Sequence, residues 1–283
     1  MDEPVFLGGQ ARVARLAVFR WPGRRPLTFA RRPGPGIDTV WNMEDPPPPA
    51  QAASVVVNFA GVTPGPDAPL ARNTDLALAG LAAARAWGAR HYFVMSSSAV
   101  YGDTGPEPAA ESRAPHPVNA YGAAKLAMEQ AVLDAAGATD GPKVTILRLA
   151  NVAGAGQPFD AACAAAGAPI SLHRFADGRG PSRSFIGPLT LARCLHALCN
   201  RAAARDPIPA VLNVAASPPA AMSDILTALG TPFDWVDAPP GALQHVHLDT
   251  RLLATLCADI DMDGGAARTL VSEADTSQAG DPT

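Results

Sequence analysis

Lysine is almost missing from this 283-residue chain: two, at positions 125 and 143, stand against twenty arginines. With abundant alanine, proline and glycine, that imbalance reads as a coding bias, so a single arginine carries little information and a lysine is a rare choice. No apolar run approaches the roughly 20 residues that span a bilayer, because arginine, glycine and proline interrupt the alanine-rich stretches. No membrane span is expected. The opening residues Met1-Asp2-Glu3-Pro4 lack the basic-then-apolar order of a secretory leader, which makes the cytoplasm the expected compartment. The four cysteines, at 163, 194, 199 and 257, form no Cys-x-x-Cys pair and no cluster with histidine at metal-ligand spacing. Buried free thiols are therefore expected, and no metal. A formal charge of -4 argues against a nucleic-acid partner, since phosphate binding rests on basic surface. A further absence is local: from Pro4 to Ile37 there is no aspartate or glutamate.

What is present alternates. Short apolar runs at 5–7, 26–30, 39–41, 54–60, 91–97 and 144–149 read as strands, and longer segments at 11–20, 72–87 and 120–136, the last stopped by Gly137, read as helices. Apolar strands alternating with helices imply a parallel sheet covered on both faces, a doubly wound α/β domain of Rossmann-like type. Two segments stand apart. The run Pro46 to Pro49 cannot be helical and is expected to form an extended spacer across the sheet's edge. Residues 272–283 carry almost no apolar side chains and are expected to be a disordered tail.

The stretch LGGQARVARLAVF (7–19) joins the first strand to the first helix, and on its own it suits a nucleotide-binding turn and an ordinary joint equally. A dinucleotide turn is commonly followed, about 20 residues on, by an acid that holds the ribose hydroxyls. Arg31 and Arg32 stand there instead, just past the strand at 26–30. Arginine at that point suits the 2′-phosphate of NADP, by charge-assisted and bidentate bonding.

The strongest chemical signal is SSSAVYG (96–102) followed by AYGAAK (120–125). Tyr121 and Lys125 are four apart on a helix and project from one face. With three tyrosines and two lysines in the whole chain, that spacing is a rare accident. Together with NFAG (58–61), NTDLALAGLAAARAWGARHYFVMSSSAVYG (73–102), HPVNAYGAAKLAMEQ (116–130) and LRLANVAGAGQ (147–157), these residues resemble the extended short-chain dehydrogenase/reductases, in particular the NAD(P)-dependent epimerase/dehydratase group that acts on nucleotide sugars.

The resemblance implies a dinucleotide-binding domain over 1–153 and a smaller substrate-binding region over 154–271, some of whose segments return to the main sheet. It aligns the glycines of a GxxGxxG turn with Gly8, Ala11 and Ala14, so a methyl group stands at the second position. It implies an NADP or NAD cofactor, with the arginines favouring NADP, held by Gly8, Ala11, Arg12, Arg31, Ala60, Gly61, Asn73, Tyr121 and Lys125. Tyr121 would be the acid/base, Lys125 its partner and a ribose ligand, and Ser97 the hydroxyl that holds the reacting oxygen, with Ser98 adjacent to it. Asn151 and Arg183 would meet the substrate's phosphates. Asn73 also reads as a helix cap, and Arg183 as a solvated arginine. The acid common after Arg-Ser-Phe in that family is missing from GPLTLA (187–192). Ser98-Ala99, where a dehydratase carries an acid pair, disfavours dehydration. An epimerase, a reductase of small carbonyl compounds and a nucleotide-binding protein without turnover remain as readings. The helices at 72–87 and 120–136 would pair in a homodimer, and His245-x-His247 reads as a solvated strand face.

Overall fold

The computed structural model describes residues 3–49, 53–137 and 141–275. The chain begins with β1 (Val5–Leu7), α1 (Arg12–Phe19), β2 (Leu27–Ala30), β3 (Thr39–Val40), β4 (Val55–Asn58), α2 (Arg72–Ala86) and β5 (His91–Ser97). A short 3-10 turn (Ser98–Tyr101), α3 (Ala120–Gly137), β6 (Lys143–Leu149), β7 (Asn151–Val152), α4 (Phe159–Ala165), β8 (Ile170–Arg174), β9 (Ser182–Arg183) and β10 (Phe185–Ile186) follow. The last part holds α5 (Pro188–Ala204), β11 (Val211–Val214), β12 (Ala220–Ala221), α6 (Met222–Ala228), β13 (Phe233–Asp237), β14 (His245–Val246), α7 (Arg251–Leu256) and α8 (Ala267–Ala274).

Seven strands form one parallel sheet in the order β3-β2-β1-β4-β5-β6-β11. The order turns back between β1 and β4, and ligands of such sheets bind at that switch, beyond the carboxyl ends of the strands. Register brings Leu7, Phe29 and Asn58 level there. The middle of the sheet is mostly apolar because both faces are covered, and the polar residues on its strands, such as Thr145, Arg148 and Asn213, are buried with hydrogen-bond partners. On one face α1 and α5 enclose Phe6, Trp21, Leu195 and Leu198, with Trp21 edge-on to Phe6 at 5.1 Å and to His196 at 5.4 Å. On the other, α2 and α3 enclose Val56, Leu81, Tyr92, Met128 and Val132.

No helix lies between β2 and β4 among the described residues. Aromatic rings cover that part of the sheet: Trp87 lies 5.2 Å from Phe29 and 5.9 Å from Trp41. Their indole N–H groups need acceptors once buried. Trp87 donates to the Pro48 carbonyl at 3.0 Å, and Trp41 donates to the Pro46 carbonyl at 3.1 Å. The proline run thus holds the aromatic cover of the sheet by its carbonyls.

The region after 154 is divided. α5 and β11 return to the main sheet, while β8 and β13 pair in a two-stranded sheet and β12, β9 and β14 form a three-stranded one. Three expectations are corrected. The tail expected from Ser272 does not begin there, because residues 272–274 complete α8, whose own Leu270 is fully buried; residues 276–283 lie outside the described residues. Cys163 is exposed, whereas Cys194, Cys199 and Cys257 are buried and unpaired. His247 is buried, bonded to the Ser182 hydroxyl at 2.9 Å, so His245-x-His247 is not a solvated face. Among the described residues no helix is long and apolar enough to cross a membrane.

α5 begins at Gly187-Pro188 with no acid of its own in its first turn. Glu273, on α8, supplies one: its carboxylate accepts from the Thr190 N–H at 2.9 Å and the Thr190 hydroxyl at 2.7 Å. A Cβ on Gly187 would lie 2.1 Å from the Glu273 carboxylate, so glycine is required for this approach. A residue 83 positions along the chain thus places a carboxylate at the start of α5.

Candidate active site

β1 ends in a turn that only glycine can begin. Gly8 has φ +72°, and a Cβ there would lie 2.5 Å from the Ala60 nitrogen. The Ala11 N–H donates to the Gly8 carbonyl at 2.8 Å and α1 follows at once. Ala11 itself, at φ -59° and ψ 137°, is in ordinary backbone. Ala14 is fully buried where the helix meets the sheet, a place for a small side chain. Opposite the turn, the buried Asn58 carboxamide accepts from the Ala60 N–H at 2.8 Å, and the buried Asn73 carboxamide bonds both backbone groups of Val62 at 3.1 Å. Asn73 lies inside the first turn of α2, so it ties the loop to the helix and is not its N-cap.

Two cavities meet beside this turn. The outer one, 470 Å³, is lined by Gly8, Arg31, Trp41, Ala60 and Arg72 among others. The inner one, 510 Å³, is lined by Met95, Ser96, Tyr121 and Lys125 among others. Ala11, Gly61 and Val62 line both. Arg31 is exposed and pairs with no carboxylate among the described residues. The first acid after it, Asp38, is engaged by Arg25 at 2.5 Å and by the Thr28 N–H at 2.7 Å.

Tyr121, Lys125 and Ser97 come together for a local reason. Asn119 caps α3 by accepting from the Gly122 N–H at 2.8 Å. Gly122 lets that helix press on the turn after β5: a Cβ there would lie 2.4 Å from the Ala99 carbonyl oxygen. Ser97 ends β5, and its Oγ accepts from the Ala99 N–H at 3.2 Å. Burial pushes the Tyr121 phenol above its ordinary range, and a hydrogen bond from Ser97 partly offsets this. The Lys125 ammonium sits 6.0 Å from the centre of the Tyr121 ring and donates to the Met95 carbonyl at 2.9 Å. Burial lowers Lys125 from 10.5 to about 8, with Glu129 acting the other way. Ser98 is buried in the 3-10 turn.

Behind the inner cavity lies a polar network that the motif alone does not announce. Glu129 accepts from the Ser96 hydroxyl at 2.5 Å and pairs with Arg148 at 2.7 Å, both partners of the ion pair being buried. Arg148 also donates to the Tyr101 hydroxyl at 2.8 Å, which donates to Asn213 at 2.9 Å. Glu129 is one helical turn beyond Lys125, which is the sequence signal that could have found it.

Of the two substrate-side residues, Arg183 is already engaged by the protein's own backbone. The Asn151 amide donates to the Gln157 carbonyl at 3.4 Å. The Arg183 guanidinium donates at 2.8 Å to the carbonyls of Ser182, Gln244 and Leu243, and burial lowers it to about 10. It is neither a solvated arginine nor a lining residue of the inner cavity.

Residues 49–220 match the model of the NAD dependent epimerase/dehydratase family. Among solved structures, the chain is similar to UDP-glucose 4-epimerase from Brucella ovis in complex with NAD, at 19% identity and TM-score 0.78, covering 96% of this chain and 97% of that one. It is similar also to a mutant UDP-glucuronic acid 4-epimerase from Bacillus cereus in complex with a fluorinated UDP-glucuronic acid and NAD, at 18% identity and TM-score 0.77, covering 97% and 98%. MoeE5 in complex with UDP-glucose and NAD matches at 22% identity and TM-score 0.75, over 96% and 97%. No curated protein matches the chain.

Proposed function

The chain belongs to the NAD dependent epimerase/dehydratase family, and from that premise we propose that it is an NAD(P)-dependent oxidoreductase acting on a nucleotide sugar through Ser97, Tyr121 and Lys125. The observation that carries the reading is the position of Tyr121 and Lys125 on the wall of a cavity that continues, past Ala11 and Gly61, into a second one. Two adjoining cavities of this kind suit the two halves of a dinucleotide, and the close backbone approach at Gly8 suits its diphosphate.

Gly8, Ala11, Arg12, Ala60 and Gly61 then hold the diphosphate region, Asn73 fixes the loop beneath it, and Arg31 meets the adenosine ribose. Arg31 free of a carboxylate, with Asp38 engaged elsewhere, supports a 2′-phosphate and hence NADP. Relatives solved with NAD support the unphosphorylated cofactor as the alternative. When bound, the nicotinamide supplies the acceptor and donor of a hydride.

The protein's own part is proton transfer and positioning. Tyr121 takes the proton from a substrate hydroxyl, or returns it to a carbonyl oxygen, and needs nearby positive charge to do so because burial opposes its phenolate. Lys125 provides such charge from one helical turn away. Ser97 turns its hydroxyl from Tyr121 to the substrate oxygen and holds it. Nucleotide-sugar binding is supported by relatives solved with UDP-glucose or UDP-glucuronic acid. Asn151 would stand near the sugar diphosphate. One observation favours a second reading, the reduction of a small carbonyl compound: the Arg183 fork that would clamp a diphosphate is already engaged by three carbonyls.

The test is titration of the protein with NADPH and NADH by nicotinamide fluorescence, alongside Arg31→Ala and Tyr121→Phe. We expect NADPH to bind more tightly than NADH, Arg31→Ala to remove that preference, and Tyr121→Phe to bind cofactor while losing about 10²-fold or more in turnover of UDP-sugars. Binding of neither dinucleotide would refute the reading.

A further inference from the structure

Among the described residues, the cleft formed by the two cavities is lined by four cations, Arg12 and Lys125 in the inner part and Arg31 and Arg72 in the outer, the last paired with Glu44, and by a single carboxylate, Asp160. That carboxylate is bonded to Arg12. Arg12 is the first residue of α1 and Asp160 the second of α4, 148 residues apart in sequence. Their side chains are 57% and 42% exposed, which places the pair at the mouth of the cavity and not in its depth. The first turn of α1 carries no acid, and Ala11 offers its amides no capping oxygen, so an anion at that turn would meet unsatisfied N–H donors beside Arg12.

We propose that the Arg12–Asp160 pair is a strap across the cleft that the diphosphate of a dinucleotide opens, Arg12 passing from the carboxylate to the phosphate oxygens. This rests on the dinucleotide reading above. Three physical points support it. The guanidinium fork fits a carboxylate and a phosphate equally well, so the exchange needs no new geometry. An ion pair this exposed contributes little and is easily broken. A diphosphate next to Asp160 would be repelled by it, whereas the same diphosphate is attracted by Arg12 and by the start of α1.

The experiment measures the affinities of ADP-ribose and of adenosine, followed by quenching of the tryptophan emission to which Trp41 in the outer cavity contributes, for the whole protein and for Asp160→Asn and Arg12→Ala. Asp160→Asn is expected to bind ADP-ribose about threefold more tightly, a gain that shrinks at high salt. Arg12→Ala is expected to bind it more weakly. Adenosine, which has no phosphate, should bind all three proteins alike, which also verifies that the variants are folded. Unchanged or weaker ADP-ribose binding by Asp160→Asn, with the unaltered protein binding normally, would overturn the strap while leaving the cofactor reading intact. If the unaltered protein binds adenosine but not ADP-ribose, both fall.

Discussion

Lys125 is a charge held where charge is costly. Burial lowers it from 10.5 to about 8, so between those values the unfolded chain binds more protons than the folded one. Stability therefore rises as pH climbs through that window, and the full cost is felt below about pH 8. Lys125→Met removes the cost while leaving Glu129 paired with Arg148. The variant is expected to melt about 2 °C or more above the unaltered protein at pH 7, to lose that advantage progressively toward pH 10.5, and to have no turnover. A scan of Tm against pH for both proteins checks this; equal melting at pH 7 would contradict it. This residue was legible in the sequence because lysine is so rare in the chain. Glu129, which moderates its acidity, was less so, since one glutamate among the acids of an α-helix looks like surface until Arg148 and Ser96 are seen around it.

Among the elements, those with local causes were legible and those with distant partners were not. β5 and β6 were readable from their apolar stretches, Tyr92 to Met95 and Ile146 to Leu147, because a parallel strand buried on both faces is mostly apolar. The turn after β1 was harder, with alanine at two of three glycine positions, yet Gly8 alone carries the positive φ and the close approach to Ala60. The short strands after residue 150 are two to five residues long and draw their pairing from far along the chain, so apart from the alternation at His245-x-His247 no local pattern marks them. The start of α5 is the clearest example, because its acid comes from α8. Glu273→Ala should remove two hydrogen bonds from that helix start and destabilise the protein by about 1–2 kcal/mol. Urea denaturation with an unchanged m-value and a lower midpoint is the expected result; an unchanged midpoint would mean that water replaces the carboxylate without loss.

For the whole molecule, α2 and α3 pack side by side and turn alanines outward, with Ala82, Ala86, Ala123 and Ala127 exposed. Small side chains allow two such pairs to approach closely, and a homodimer built on them is expected in solution. Ala127→Arg would place a long charge in that contact and should shift sedimentation from dimer to monomer, with the helices otherwise unchanged. A monomer at micromolar concentration before any substitution would refute this. The attachment of Glu273 to Thr190 has a meaning in time as well as in space. During translation β6 leaves the ribosome before its neighbour β11, and α5 is complete long before Glu273 is made. Until β11 emerges the growing chain carries β6 as an open sheet edge, and until Glu273 follows it carries α5 without its acid, so these two elements wait for partners made after them.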